Sequence, residues 1–311
     1  MDETILIKIT LVLVMVIWGG SFIASSMGLD GLYPVELATL RFTIAVPILL
    51  GMTILLKGVK SLIIDPKDLP VLTVLALTGV TLQYIVQFMA MTYTTVTNTA
   101  LLINLGTIFV VISSALLLKE KLKPDNIMGI ALAFMGTALV ATKGDFAISP
   151  NIIGDTLVIF CAVMWAIYLL TGNKLAGKYS VLTQLNYIFI IGWICLLPAY
   201  FLTPHHALSE INTLSWTCIA YLAILCSVVA YFLFNDALIK IGPSKTAIYQ
   251  YFEPFFAIIF AIALIGEPLT MIVATGALLI VIGVAMADNN IKILGHIFKE
   301  NIIKGPNEER Q

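Results

Sequence analysis

"YQYFEPFFAIIFAIALIGEP", residues 249–268, is apolar and long enough to cross a bilayer, yet it carries Glu253 and Pro254 side by side. An unpaired polar group in hydrocarbon costs several kcal/mol, and irregular backbone at membrane depth survives only where it faces protein or water. The pair therefore predicts a helix that turns this side to a cavity. Pro254 has no N–H for the Gln250 carbonyl and its ring crowds that carbonyl, so a bend is expected beside the carboxyl.

The same apolar character runs through the chain. Of 311 residues, 60% are hydrophobic and 11% charged, against about 25% charged in a water-soluble domain. Ten apolar segments cover approximately 7–26, 35–56, 69–91, 96–118, 126–142, 154–173, 181–203, 213–238, 246–265 and 270–288. Each has roughly 17–25 residues, enough to span about 30 Å as helix. Barrel strands would alternate apolar and polar residues, and these segments do not. The expected fold is all-α, an integral membrane protein of ten transmembrane helices without a soluble catalytic domain. The run 7–26 lacks a small-residue cleavage pattern and reads as the first membrane helix. Cys161, Cys195, Cys218 and Cys226 all lie in apolar runs and read as packing residues. A net charge of −1 gives no reason to expect nucleic acid as a partner.

With ten crossings both termini share a side, and 15 of the 17 basic residues fall on it. The positive-inside rule then predicts cytoplasmic termini for a multi-pass protein of a prokaryotic plasma membrane.

Sliding the sequence by 147 residues places Trp18 on Trp165, Phe42 on Phe189, Tyr84 on Tyr231 and Ala100 on Ala247. It also places Glu120 on Glu267, Gly129 on Gly276 and Gly136 on Gly283. Residues 1–147 and 148–290 thus read as two five-helix repeats. Five is odd, so the halves are expected in opposite orientations, the arrangement of alternating-access transporters with a central site. Beyond them, "IKILGHIFKENIIKG" at 291–305, within the tail 291–311, has the pattern of an amphipathic helix on the inner leaflet.

The stretches "IWGGSF" (17–22), "ELATLRFTIA" (36–45), "YFEPFFAIIFAIALIGEPLT" (251–270) and "GALLIVIGVAMA" (276–287) resemble the drug/metabolite transporter superfamily, specifically its EamA-type ten-helix permeases. The resemblance covers about residues 7–288. It implies two symmetric sets of three helices around a central path. One departure is "NLGTIF" at 104–109, where Thr107 stands in place of a proline. The two halves are therefore expected to kink differently.

Helical spacing groups the polar positions into inward faces: Trp18, Ser21 and Ser25; Gln83 and Gln87; Thr97, Ala100, Asn104, Thr107 and Ser114. Others are Cys161, Trp165, Tyr168 and Gly172; Ser227, Tyr231 and Asn235; and Thr246, Tyr249, Gln250, Glu253 and Ala257. Expected substrate ligands are Trp18, Ser21, Gln83, Gln87, Asn104, Trp165, Tyr168, Tyr231, Asn235, Tyr249, Gln250 and Glu253, with Arg41 and Pro254 as gating or bending residues. An acid inside a membrane is by default functional; the plainer reading of Glu253 is a carboxyl bonded to a neighbouring helix. Arg41 is either a carboxylate anchor or gate, or else a snorkelling side chain or a structural partner of Glu36, and Asp236 is expected to pair with Lys240. Glu120 and Glu267 read as loop anchors. His205 and His206, with no carboxylate near in sequence, do not make a metal site. Segments 5 and 10 carry Gly129, Ala133, Gly136, Gly276 and Gly283 and no polar stripe, which suits close helix packing, within the chain or between protomers of a homodimer.

Metalloprotease and serine-hydrolase motifs are absent, as is a phosphate-binding glycine loop, so an enzyme or an ATP-driven pump is not expected, nor a cofactor or metal. A passive channel fits one asymmetric Glu-Pro pair less well than a secondary transporter does. A phosphorylated substrate would call for a basic cluster at depth. Aromatic, amide and acidic residues instead suit an ammonium group, as in an amino acid, amine or similar small metabolite, exchanged against protons and, by analogy with the family this chain resembles, exported.

Overall fold

The computed structural model describes residues 3–94, 96–117, 119, 123–144, 152–260, 262–263 and 270–288. Those residues form helices, turns and loops, with no strand among them. In chain order they are α1 (Glu3–Leu29), α2 (Pro34–Lys57), α3 (Leu69–Ala76, continued through Leu77–Thr81 to Leu82–Tyr93) and α4 (Val96–Ile103 and Leu105–Leu117). There follow α5 (Pro124–Thr142), α6 (Ile152–Gly172), α7 (Val181–Leu202) and α8 (Thr213–Tyr221, Leu222–Val229, Ala230–Ile241). The last are α9 (Pro243–Ile248, Tyr249–Tyr251, Phe252–Phe260) and α10 (Met271–Ala287). Seven of these, α1, α2, α3, α5, α6, α7 and α8, are long and apolar enough to cross a membrane; α10 and the stretch Leu101–Leu117 of α4 are shorter apolar helices. Large side chains such as Leu55, Leu116, Leu202 and Met271 stand almost fully exposed. A surface this apolar suits lipid, not water.

Local chemistry sets the boundaries. Proline opens α2, α5 and α9, where its missing N–H costs nothing. Ser180, Asn212 and Thr270 cap α7, α8 and α10 by accepting the backbone N–H three residues on. Gly242 ends α8 at φ 84°, a conformation that favours glycine, and returns its N–H to the Leu238 carbonyl.

α5 and α10 form the closest helix pair. A Cβ on Gly129 would lie 2.6 Å from the Gly283 carbonyl oxygen, and one on Gly136 would lie 2.6 Å from that of Gly276. The glycine faces of α5 and α10 thus meet inside one chain, and Met128, Met135 and Leu278 stand exposed on the outer faces of the pair. The main core instead gathers Phe42, Tyr84, Phe189, Tyr231 and Phe234 from α2, α3, α7 and α8.

Both fourth helices are interrupted, in different forms. α9 passes through a 3-10 turn at Tyr249–Tyr251, and α4 is interrupted at Asn104, the position equivalent to Tyr251. Proline is not needed for the interruption: the Thr107 N–H returns to the Asn104 carbonyl at 3.2 Å, and the Thr107 hydroxyl donates to the Ala247 carbonyl of α9 at 3.2 Å. Glu120, Glu267 and the tail 291–311 lie outside the described residues, as do the side chains of Thr97 and Ala100.

Candidate functional site

One cavity, enclosing about 650 Å³ of empty space with its mouth included, lies between α1, α2, α3, α4, α6 and α9. Of the expected site residues it brings together Trp18, Ser21, Gln83, Gln87, Asn104, Trp165, Gln250, Glu253 and Arg41. The helical faces explain why: Trp18, Ser21, Phe22 and Ser25 recur at three and four residues along α1, and Gln83 and Gln87 sit one turn apart on α3. Gln83 Nε2 donates to Gln87 Oε1 at 3.4 Å.

Tyr168, Tyr231, Asn235, Tyr249 and Pro254 do not line the cavity. The first three stand one layer behind it. The Tyr168 hydroxyl donates to Asn235 Oδ1 at 2.8 Å and its ring stacks on Trp165 at 5.0 Å. The Tyr231 hydroxyl donates to the Gly79 carbonyl at 2.8 Å and bonds the Tyr84 hydroxyl at 2.9 Å. Their polar stripe faces inward as its period indicates, but its partners are protein atoms. Tyr249 is turned away because the 3-10 turn advances about 120° per residue instead of 100°. Its hydroxyl donates to Asp288 Oδ2 at 3.1 Å, and Asp288 also holds Lys8 at 2.6 Å, so this tyrosine ties α9 to α10 and α1. Pro254 is buried in the first turn of Phe252–Phe260, where its missing N–H is least costly.

Arg41 is 2% exposed. It neither snorkels nor pairs with Glu36. Its Nε donates to Ser227 Oγ at 2.7 Å, its Nη2 donates to the Tyr84 hydroxyl at 3.1 Å, and its guanidinium carbon lies 4.1 Å from the Tyr84 ring centroid. All these partners are neutral, and among the described residues no carboxylate lies within ion-pair distance of it. Glu36 instead accepts the His206 N–H at 2.8 Å and meets His206 Nδ1 at 2.9 Å, so a histidine with no carboxylate near in sequence holds a buried acid. Asp236 pairs with Lys240 at 2.9 Å, as its spacing predicts.

Glu253 is half-buried on the cavity wall, and among the described residues it makes no hydrogen bond or ion pair. Three further polar atoms on this wall are buried without a partner: Gln83 Oε1, Trp165 Nε1 and Gln250 Oε1. Buried polar groups are normally satisfied, so a cluster of orphans around one cavity marks groups available to a ligand. The walls also carry Tyr84, Phe22, Phe88 and Ile103, which the polar stripes did not single out. Tyr84 had a usable signal, since the 147-residue offset pairs it with Tyr231. A charged pair of opposite sign, two amides, an indole donor and aromatic walls can hold a small solute with both an anionic and a cationic end. Among the described residues no group of three or more His, Cys, Asp or Glu is placed to hold a metal.

Residues 6–142, and again residues 152–287, match the EamA-like transporter family. A protein of Archaeoglobus fulgidus named as an uncharacterized transporter is 36% identical over 276 residues, covering 88% of this chain and 94% of its own. The Bacillus subtilis transporter YyaM is 29% identical over 271 residues, 86% of this chain and 88% of that one. A Streptantibioticus cattleyicolor protein named as a probable terminal-alkyne amino-acid exporter is 25% identical over 278 residues, 89% of this chain and 91% of that one. One solved crystal structure shares the fold with a TM-score of 0.77 at 22% identity, over 93% of this chain and 97% of the other. The chain is a multi-pass membrane protein and belongs to the EamA-like transporter family.

Proposed function

We propose that the protein is a secondary transporter that exports amino acids or related amines by alternating access. The observation that carries this is the cavity itself: Arg41 and Glu253, each without an oppositely charged partner among the described residues, share one aromatic wall with unpaired amide and indole groups. A carboxylate bound at Arg41 and an ammonium bound at Glu253 against Trp18 and Trp165 would satisfy all of them. A carboxyl in such a place can also bind a proton in one part of the cycle and a cation in another, which couples export to the proton gradient. Export as the direction is inferred from the relative named as an amino-acid exporter.

Alternating access needs two arrangements of similar energy, and an inverted repeat supplies them. Several contacts support ten crossings arranged as two inverted halves, because the 147-residue offset exchanges or preserves them. Tyr84 bonds its own equivalent, Tyr231. Phe42 meets Phe189 at 5.1 Å, and Trp18 meets Trp165 at 5.8 Å. The Phe42–Tyr84 pair at 5.4 Å has its counterpart in Phe189–Tyr231 at 5.3 Å. The Gly129–Gly283 approach maps onto Gly136–Gly276. Superposing residues 7–142 on 154–289 tests the symmetry directly. Cavity residues Ser21, Ser25, Arg41, Gln87 and Phe88 lie in what the lysine distribution makes the outer halves of their helices. The Lys8–Asp288–Tyr249 contacts lie toward what that distribution makes the cytoplasmic end, which supports reading this as an outward-facing state of a protein in a prokaryotic plasma membrane.

A thermal-shift screen of the purified protein against amino acids, amines and nucleosides tests the substrate class, and counterflow in proteoliposomes tests the mechanism. A passive facilitator would show no response of net flux to a pH gradient.

A further inference from the structure

The two cavity tryptophans are equivalent by the 147-residue offset but differ in their bonding. Trp18 Nε1 donates to the Cys226 carbonyl of α8 at 3.1 Å. The equivalent of Cys226 is Gly79, so the matching bond would run from Trp165 Nε1 to the Gly79 carbonyl of α3. It is not made. The Gly79 carbonyl accepts from the Tyr231 hydroxyl at 2.8 Å, and Trp165 Nε1 is buried on the cavity wall without a partner among the described residues. Gly79 and Cys226 both lie in π-helical turns, Leu77–Thr81 and Leu222–Val229, and the offset carries the first into the second. Such turns loosen the regular ladder and recur at functional sites. The hydroxyls are matched too: Arg41 donates to Tyr84, which pairs with Tyr231, which donates to Gly79.

Resting on the alternating-access reading, we infer that the two indoles exchange roles in each cycle, one docked on the opposite half and the other donating to the substrate. In the present state Trp18 is docked on α8 and Trp165 offers its N–H to an acceptor oxygen of the substrate. In the opposite state Tyr231 releases the Gly79 carbonyl, Trp165 docks there, and Trp18 leaves Cys226 to face the substrate. Tyr84 then donates to the vacated Cys226 carbonyl, and the Tyr84–Tyr231 bond reverses its donor. The number of satisfied groups is the same in both states, so the swap needs no net loss of hydrogen bonding. A bound oxygen satisfies whichever indole is undocked, which lowers the cost of carrying it through the transition.

The exchange fixes the sign of three substitutions. Trp18→Phe and Tyr231→Phe each remove a bond that belongs to the present state, whereas Trp165→Phe removes one that belongs to the opposite state. The readout is labelling of two single cysteines in full-length protein in liposomes, using an impermeant maleimide from either side. Ser25, 5% exposed, lines the present cavity; Gly172, its equivalent on α6, is buried and does not line it. Trp18→Phe and Tyr231→Phe are expected to raise Gly172→Cys labelling about fivefold, the effect of one buried hydrogen bond on an equilibrium. Trp165→Phe is expected to lower it by a similar factor. Tyr231→Phe removes one oxygen only, so it remains informative if a tryptophan variant folds poorly. Unchanged labelling, or Trp165→Phe acting in the same direction as Trp18→Phe, overturns the exchange. If any variant moves Ser25→Cys and Gly172→Cys labelling in the same sense, alternating access fails as well; if the two respond oppositely but with the wrong signs, or do not respond at all, only the indole exchange fails.

Discussion

Arg41→Gln separates recognition of a carboxylate from general binding. The guanidinium is buried, held by Ser227 Oγ at 2.7 Å and the Tyr84 hydroxyl at 3.1 Å, and its charge is balanced by no ion pair among the described residues. A glutamine amide can still donate to one of these hydroxyls, so the fold is expected to persist. What is lost is the charged donor to the ligand. A hydrogen bond to a charged group contributes about 1.5–3 kcal/mol, and about 1.4 kcal/mol is a factor of ten in affinity. Amino-acid binding should therefore weaken about 10- to 150-fold. The matched amine, identical except for the missing carboxylate, should lose little. Glu253→Gln should act in reverse, weakening the amine and the amino acid together. The assay is binding of each amino acid and its decarboxylated amine to purified protein, read as ligand-induced thermal shift across concentrations. Equal weakening of amine and amino acid by Arg41→Gln would refute the anchoring role, as would wild-type affinity for the amino acid.

Glu253→Gln should leave the protein folded while export falls and its dependence on the pH gradient weakens; a normal rate with an unchanged pH profile in proteoliposomes would make the carboxyl structural. Pro254→Ala restores an N–H at the start of Phe252–Phe260 and lets α-helix run back through the 3-10 turn, which rotates Gln250 away from the cavity. Turnover should slow more than binding weakens, seen by comparing export rate with ligand-induced thermal shift. Gly136→Val drives a side chain into the Gly276 carbonyl 2.6 Å from the Cβ position, an overpacking expected to cost about 1–3 kcal/mol. Gly276→Val strikes the same contact from the other side, so both should lower the unfolding temperature in detergent alike.

Much of the membrane architecture was legible because its signals are local. Apolar length marks helices, and glycines at Gly129, Gly136, Gly276 and Gly283 mark close packing whether or not a partner is known. Polar residues at helical spacing gave the inward faces, so Trp18, Gln83, Gln87, Asn104, Gln250 and Glu253 were found in the cavity. The errors arise where helical phase or partner choice is set by other helices. Tyr249 misses the cavity because a 3-10 turn changes the angle per residue, and nothing in "YQYFEP" announces that turn. Tyr231 and Asn235 are inward but bonded to Gly79 and Tyr168, contacts that no spacing within α8 encodes. Arg41 and Glu36 stand close in sequence on α2, yet they do not pair. The actual partners of Arg41 are 43 and 186 residues away in sequence, reached only when α2, α3 and α8 are packed.

The cavity combines a symmetric frame with asymmetric charges. The tryptophans, the Tyr84–Tyr231 pair, the phenylalanines and the α5–α10 glycines all have equivalents under the offset. Arg41 and Glu253 do not: their equivalents are Ile188, which is buried in the core, and Gly106, which packs against the Ala162 carbonyl. In the proposed cycle this division of labour has a physical basis. Equivalent contacts make the two end states close in energy, so the protein can pass between them on modest driving force. Charges placed on one half each, Arg41 on the first and Glu253 on the second, give the solute one orientation in both states. They also make the empty site costly, because moving the halves without a bound solute carries two unpaired charges through a low-dielectric interior. A bound zwitterion, or a proton on Glu253, removes part of that cost. Movement of the empty carrier is thereby disfavoured relative to movement of the loaded one, which is the condition for coupling flux of one species to that of another.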